Sequence, residues 1–308
     1  MESLRLRSSN SKEQLNVSLH IDQKLIKGIM LVVHGMNEHS QRYLPFVKFL
    51  NDNGYGVVTY DQLGHGDSVS DGLYGYFGED GANSLINDVK VVSDYIADRF
   101  PNLPIILLGH SMGSLVTRNF FNRFPEKISG YIMMGSLGPD NNAGNRFLLK
   151  SLKRMFGGRK YSRFVNDFAF KSFNDRISNP KTSSDWLTRD EEIVKAYTLD
   201  PKCTFAFTYQ GLLDILDLRM WCNDEKWFNT LVKDKPILIL SGKEDPCGDY
   251  GEAIKVIYNK LKNNNCLVEY KLYDNCRHEI LNELNKEEVY GDILAFCNRI
   301  CKKNIFIK

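Results

Sequence analysis

Apolar positions along the chain fall into two alternating rhythms. "GIMLVV" (28–33), "YGVVTYD" (55–61), "PIILLG" (104–109) and "GYIMMGS" (130–136) are short runs with apolar residues at successive positions, the pattern of strands covered on both faces. A further strand is predicted over Val17 to Ile21. Between these runs apolar residues recur at helical spacing. "YLPFVKFLNDNG" predicts a helix stopped by Gly54, Ser84 to Phe100 one built on Leu85, Val89, Val92 and Ile96 that ends before Pro101, and "SLVTRNFFNRF" a third. The alternation lapses over residues 139–232, which are polar, aromatic and mostly helical in character. It resumes with "KPILILSGKED", a helix around Tyr250 to Leu261, the strand "LVEYKLYD" and a last helix from Lys286 to Cys301. This order predicts an α/β fold: a mainly parallel central sheet flanked by helices. Residues 1–138 and 233–308 would form the core, with 139–232 inserted as a helical cap.

Composition narrows this picture only slightly. A length of 308 residues suits one large domain with an insertion, and an apolar fraction of 43% can bury a core. The net charge of +2 gives no reason to expect nucleic acid as a partner. "MESLRLRSSNSKEQL" lacks the apolar stretch of a secretory signal, and no apolar run approaches the roughly 18 residues of a membrane span, so the expected location is cytoplasmic. The seven cysteines, all beyond residue 202, are odd in number and make a poor disulfide framework. Cys297 and Cys301 lie one helical turn apart without two further ligands, so no metal site is expected.

The strongest chemical signal is "GHSMG" (109–113), set between an apolar strand and a helix. Strand, Gly-x-Ser-x-Gly and helix in this order form a nucleophile elbow, with glycines allowing strand and helix to approach around the serine. Ser111 is therefore the candidate nucleophile. Its base should follow it in the chain, after an acid. Of the six histidines, only His278 lies beyond Ser111. The acid should follow "PILILSG": Asp245 fits best, with Glu244 and Asp249 as rivals. By position, the backbone N–H groups of Met36, after the strand ending at Val33, and Met112 are the candidate oxyanion donors. His34 precedes the nucleophile and reads as structural; His65 and Asp67 of "GHGDS" read as turn formers.

Residues 145–164, "NRFLLKSLKRMFGGRKYSRF", hold seven basic residues and no acid. At about 100° per residue, Leu148, Leu149, Leu152, Met155 and Phe156 share one face of a helix from Arg146, and four basic residues share the other. Such a helix 146–156 either packs its apolar stripe on the core with its charges in water, the favoured expectation, or touches an anionic lipid surface at the inner face of a membrane. Cys247 and Cys276 each stand two residues from a candidate site residue; either one lies close enough for its alkylation to inhibit, or both are inert thiols packed in loops.

"HGMNEHSQRY", "YDQLGHGDS", "GHSMGS", "SGKEDP" and "CRHEILNE", in this order, resemble the monoacylglycerol lipase and lysophospholipase group of the α/β-hydrolases, which is also filed under a serine aminopeptidase heading. The resemblance spans nearly the whole chain, including "DPKC" in the cap. It implies hydrolysis of carboxylic esters of single-chain lipids by an acyl-enzyme route, without a cofactor. It matches Ser111, Asp245 and His278 to the family's triad and Met36 and Met112 to its oxyanion pair. It sets Arg42 and His110 in the pocket for a glycerol-like head. The chain departs from the group at Asn37 and Ser114, where glycine is usual. Two other readings remain open at this point. One is a peptidase of the same fold, which would need a cap carboxylate such as Asp190, Glu191 or Glu192 for a substrate ammonium. The other is an inactive binding protein on the same scaffold.

Overall fold

The structure, a computed structural model, describes residues 1–21, 26–139 and 143–305. Eight strands form one sheet: β1 (Glu2–Arg7), β2 (Gln14–His20), β3 (Ile29–Val33), β4 (Gly56–Asp61), β5 (Ile105–His110), β6 (Gly130–Met134), β7 (Ile237–Gly242) and β8 (Val268–Tyr273), in the order β1-β2-β4-β3-β5-β6-β7-β8. The pairs β1/β2 and β2/β4 are antiparallel; all others are parallel. This is the mainly parallel sheet that the alternation of runs predicts, in the α/β-hydrolase arrangement that the resemblance implies.

The central strands bury every residue because each face of the sheet has its own apolar layer. Ile29, Leu31 and Val33 point into one layer, with α2 (Gly81–Arg99) and α3 (Met112–Arg123). Met30 and Val32 point into the other, with α1 (Leu44–Asp52) and α10 (Lys286–Ile305). Each large side chain so buried stabilises the fold by about 1.5–3 kcal/mol. A further helix, α9 (Glu252–Asn263), precedes β8.

Some elements depart from the predicted bounds. β1 is not anticipated, since its six residues are mostly polar; Leu4 and Leu6 nevertheless alternate with Arg5 and Arg7 and pair along β2 from Glu2↔Leu19 to Arg7↔Gln14. α9 starts two residues late because Asp249 and Tyr250 hold left-handed backbones, with φ of 49° and 54°.

Among the described residues, five α-helices and no strand lie between β6 and β7: α4 (Ala143–Phe156), α5 (Arg163–Phe170), α6 (Glu191–Leu199), α7 (Tyr209–Asn223) and α8 (Glu225–Thr230). α7 packs on α2, α3 and α4. α4 differs from its favoured expectation. Only part of the apolar stripe is covered: Leu149 is buried and Leu152 half-buried, while Leu148, Met155 and Phe156 stay exposed, as does Phe147 outside the stripe. On the covered side of the helix Arg146 pairs with Asp217 of α7.

Candidate active site

Ser111 occupies the one residue between β5 and α3, at φ 53° and ψ −121°. A non-glycine residue takes such a backbone only where its surroundings enforce it. Here they do. Ser111 N donates to the Met134 carbonyl at 2.9 Å, and Ser114 Oγ donates to the Ser111 carbonyl at 2.6 Å. The neighbouring glycines leave no room for a side chain: a Cβ on Gly109 would lie 2.0 Å from Thr117 Oγ1, and one on Gly113 2.2 Å from the Val33 carbonyl. Met112 opens α3, so its N–H belongs to the first-turn donors that no helical carbonyl satisfies, at the positive end of the helix.

His278 and Asp245 meet although 33 residues separate them: His278 Nδ1 stands 2.9 Å from Asp245 Oδ1. The two loops touch at Gly242, where a Cβ would lie 2.1 Å from the Cys276 carbonyl. Asp245 is wholly buried, whereas Glu244 and Asp249 are exposed, which separates the three carboxylates that the sequence leaves open. Burial alone would raise the pKa of Asp245. The facing His278 ring, the Cys247 N–H at 2.9 Å and the Ser241 hydroxyl at 3.1 Å outweigh it and hold the carboxyl below its ordinary range.

Ser111, Asp245 and His278 thus follow the C-terminal ends of β5, β7 and β8, the edge where open α/β sheets place their sites. A Cβ on Gly35, in the loop after β3, would lie 2.9 Å from Ser111 Cβ; one on Gly135, after β6, would lie 3.1 Å from His278 Cε1. The loop before Met36 therefore abuts Ser111. Asn37, where glycine is usual in the resembled group, has φ 53°, which asparagine tolerates, and its amide donates to the Phe205 carbonyl at 2.8 Å. Segment 185–189, from the stretch between β6 and β7, is lashed to the His278 loop. His278 N donates to the Trp186 carbonyl, Glu279 N to that of Leu187 and Arg277 Nη1 to that of Asp185, while Arg189 pairs with Glu283. The Trp186 indole lies 5.0 Å from the His278 ring.

A buried polar network adjoins this site. Arg42 grips Glu279 through both terminal nitrogens, at 2.5 and 2.7 Å, and reaches Glu38 at 3.3 Å. Glu38 also accepts from Tyr43 at 3.0 Å, from His110 Nδ1 at 2.8 Å and from the Gly35 N–H. Burial would raise the pKa of Glu38, but His110 and Arg42 hold it far below the usual carboxylate range; Glu38 in turn raises His110 against its own burial. These side chains, with Phe46, Met134, Leu281, Asn282 and Tyr290, line a cavity of about 10 Å³ beside His110, whose ring is 4.8 Å from that of His278. Glu38 thus joins Arg42 to His110. Glu38, Tyr43 and Glu279 escaped the sequence reading; the only local signal was Glu38 four residues before Arg42.

Other candidates find quieter places. His34 Nδ1 bonds the Gly35 carbonyl and its Nε2 accepts from Gln62 N, a structural role. His65 is more than a turn former: it is fully buried among His34, Phe77, Phe205 and Phe207, and burial lowers its pKa to about 3. Asp67 binds Lys202. Asp190 caps α6 and Glu191 pairs with Lys181, so neither carboxylate is unengaged. Cys247 lies near the His278–Asp245 pair, with ligand atoms within 4.8 Å, but burial raises its thiol well above the ordinary value; that of Cys276 is raised to about 11. Neither is a ready thiolate at neutral pH. His39, Asp200 and Cys203 cluster within the same limit, yet His39 already bonds Asp200 at 2.9 Å and burial raises the Cys203 thiol to about 12. Among the described residues no helix is long and apolar enough to cross a membrane.

Comparison with known proteins agrees with this geometry. Residues 24–285 match the family described as serine aminopeptidase, S33. Monoglyceride lipase of Rattus norvegicus is 30% identical over 273 residues, covering 88% of this chain and 81% of the relative. Monoacylglycerol lipase of Mycolicibacterium smegmatis is 22% identical, covering 88% of each. Among solved structures, a thermostable carboxyl esterase from Bacillus coagulans in complex with glycerol aligns with a TM-score of 0.92 and 30% identity over 97% of this chain and 98% of that one. A lipase in an open form aligns with a TM-score of 0.90 and 25% identity, over 97% and 99%. The chain belongs to the serine aminopeptidase S33 family of α/β-hydrolases, within the group that resembles monoacylglycerol lipases.

Proposed function

We propose that the protein is a serine hydrolase that cleaves carboxylic esters of single-chain lipids, monoacylglycerol or lysophospholipid, through an acyl-enzyme intermediate. The observation that carries this reading is the buried His278–Asp245 pair at the sheet edge that also holds Ser111 in its forced turn. The matched lipases and esterase make the chain a carboxylic ester hydrolase.

In this mechanism Ser111 Oγ attacks the ester carbonyl while His278 Nε2 takes its proton. Asp245 holds the ring with Nδ1 protonated and offsets the charge that forms on it. The N–H groups of Met36 and Met112 receive the oxyanion. The tetrahedral intermediate collapses as His278 returns the proton to the leaving alcohol. Water, activated by the same histidine, then releases the fatty acid. Glu38, Arg42, His110 and Glu279 put a buried polar network beside the site, on the side this reading gives to a hydroxylated head. Trp186, stacked on Phe170, met edge-on by Phe173 and lying against His278, suits an acyl chain better than a small polar group.

A panel of monoacylglycerols, lysophosphatidylcholines and aminoacyl-nitroanilides, run with wild type and Ser111→Ala, tests this. Turnover of the lipid esters, lost in the variant, is expected, together with labelling of Ser111 by a fluorophosphonate. Faster turnover of the anilides, or full activity in Ser111→Ala, refutes it.

A further inference from the structure

Ser114 stands where the resembled group usually has glycine, and its hydroxyl is fully engaged. The Ser111 carbonyl accepts from Ser114 N at 2.9 Å and from Leu115 N at 3.3 Å, bonds that the first turn of α3 supplies. Ser114 Oγ, at 2.6 Å, adds a third and shorter bond to the same oxygen. A carbonyl only accepts, so the single Ser114 hydroxyl proton is committed to it. Ser136 Oγ, 2.9 Å from Ser114 Oγ, must then donate its own proton to that hydroxyl. Ser136 Oγ in turn accepts from Arg118 Nη1 at 3.4 Å.

All three side chains are wholly buried. A guanidinium keeps its charge even there. Among the described residues the terminal nitrogens of Arg118 donate only to neutral oxygens: Ser136 Oγ, the Leu137 and Cys222 carbonyls and Asn223 Oδ1. The Trp227 ring, 4.9 Å from the guanidinium, and the carbonyl end of α7 offset part of the cost of burying it. A cation thus heads a chain of donors, all pointing one way, that ends on the carbonyl of the 111–112 peptide. The opposite group of that peptide is the Met112 N–H. Drawing electron density onto an amide oxygen raises the double-bond character of C–N and leaves the N–H more positive, hence a stronger donor.

We propose that Arg118, Ser136 and Ser114 are positioning residues that act through the 111–112 peptide, strengthening the Met112 N–H as an oxyanion donor. The inference rests on the hydrolase reading, which gives Met112 that task. Its effect falls where negative charge develops, on the tetrahedral intermediate, and not on the bound ester.

Ser114→Ala and Ser136→Ala in the full chain test it, beside wild type and Ser111→Ala. An oxyanion donor is worth about 10²–10³-fold in kcat, and cooperativity of about 10–30% per bond turns this into a loss of about two- to eightfold for Ser114→Ala. KM for a soluble p-nitrophenyl ester should not change. Ser136→Ala should lose less, and the double variant no more than Ser114→Ala alone, because the links act in series. A trifluoromethyl ketone, whose carbonyl oxygen becomes an oxyanion when Ser111 adds to it, should bind Ser114→Ala more weakly by the factor that kcat falls. In a ¹H–¹⁵N spectrum the Met112 amide proton should move upfield in both variants, a readout that needs no turnover. Unchanged kcat in Ser114→Ala, with Ser111→Ala inactive, would overturn the proposal and leave the hydrolase reading standing; full activity in Ser111→Ala would overturn both. An unmoved Met112 proton, additive losses in the double variant, or a higher KM without a lower kcat would also overturn it.

Discussion

Asp245→Asn isolates the charge of the proposed orienting acid from its geometry. Asp245 Oδ1 accepts from both His278 Nδ1 and Cys247 N, while Oδ2 faces the Ser241 hydroxyl. An asparagine can keep its oxygen at the first position and set its NH2 against Ser241, whose hydroxyl turns from donor to acceptor. The opposite orientation would face NH2 to the Cys247 N–H and leave that buried donor unpaired, at a cost of about 1–3 kcal/mol. The ring therefore keeps its tautomer, and only the negative charge is lost. With charge centres roughly 4 Å apart and an effective dielectric of about 20, the protonated imidazole of the transition state loses about 4 kcal/mol of attraction. That corresponds to about a thousandfold in kcat, short of the ~10⁴-fold seen where the same exchange in a serine protease imposes the wrong tautomer. Steady-state kinetics on a soluble p-nitrophenyl ester, with urea unfolding to confirm the fold, measures it. A loss under tenfold would refute use of the charge. A ¹⁵N spectrum of the variant showing His278 Nδ1 without its proton would refute the orientation argument.

Two other substitutions probe separate parts of the molecule. Asp214 on α7 is buried, accepts from Gln210 at 2.8 Å, and has its pKa raised to about 7 by burial. The folded state thus holds this proton more tightly than the unfolded chain, where aspartate titrates near 3.9, so stability falls as pH rises through about 7. Asp214→Asn should exceed wild type by roughly 1–3 kcal/mol at pH 8, with the advantage fading towards pH 4; thermal melts across this range check it, and a pH-independent difference would count against it. Glu38→Gln leaves Arg42 held by Glu279 but weakens the anchor on Gly35, the residue that abuts Ser111. It should lower kcat by about 10- to 100-fold, in keeping with roughly 1–3 kcal/mol for a buried partner lost, and an unchanged kcat would remove Glu38 from the support of the site.

What the sequence discloses about this site follows from how local each signal is. Ser111 is legible because strand, turn and helix are contiguous around it, and His278 because no other histidine follows. Asp245 is only one of three until burial separates it from Glu244 and Asp249. Glu279 is illegible for another reason: its partner Arg42 lies 237 residues away, and nothing in "HEILNE" announces a bidentate clamp. The sheet's parallel part is written in unbroken apolar runs, whereas β1 hides in a charged segment that needs β2 beside it to become a strand. For α4, periodicity marks an apolar stripe but says nothing of Asp217, the distant carboxylate that pairs with Arg146.

The bonds that join segment 185–189 to the loop bearing His278 make that short piece a fixed collar rather than part of a swinging cover. α4 and α5 are tied to α7 and to residues 207–210 at its start, so these helices form one body beside a collar that stands still. The helices of that body are then free to diverge in length and greasiness while the imidazole keeps its seat.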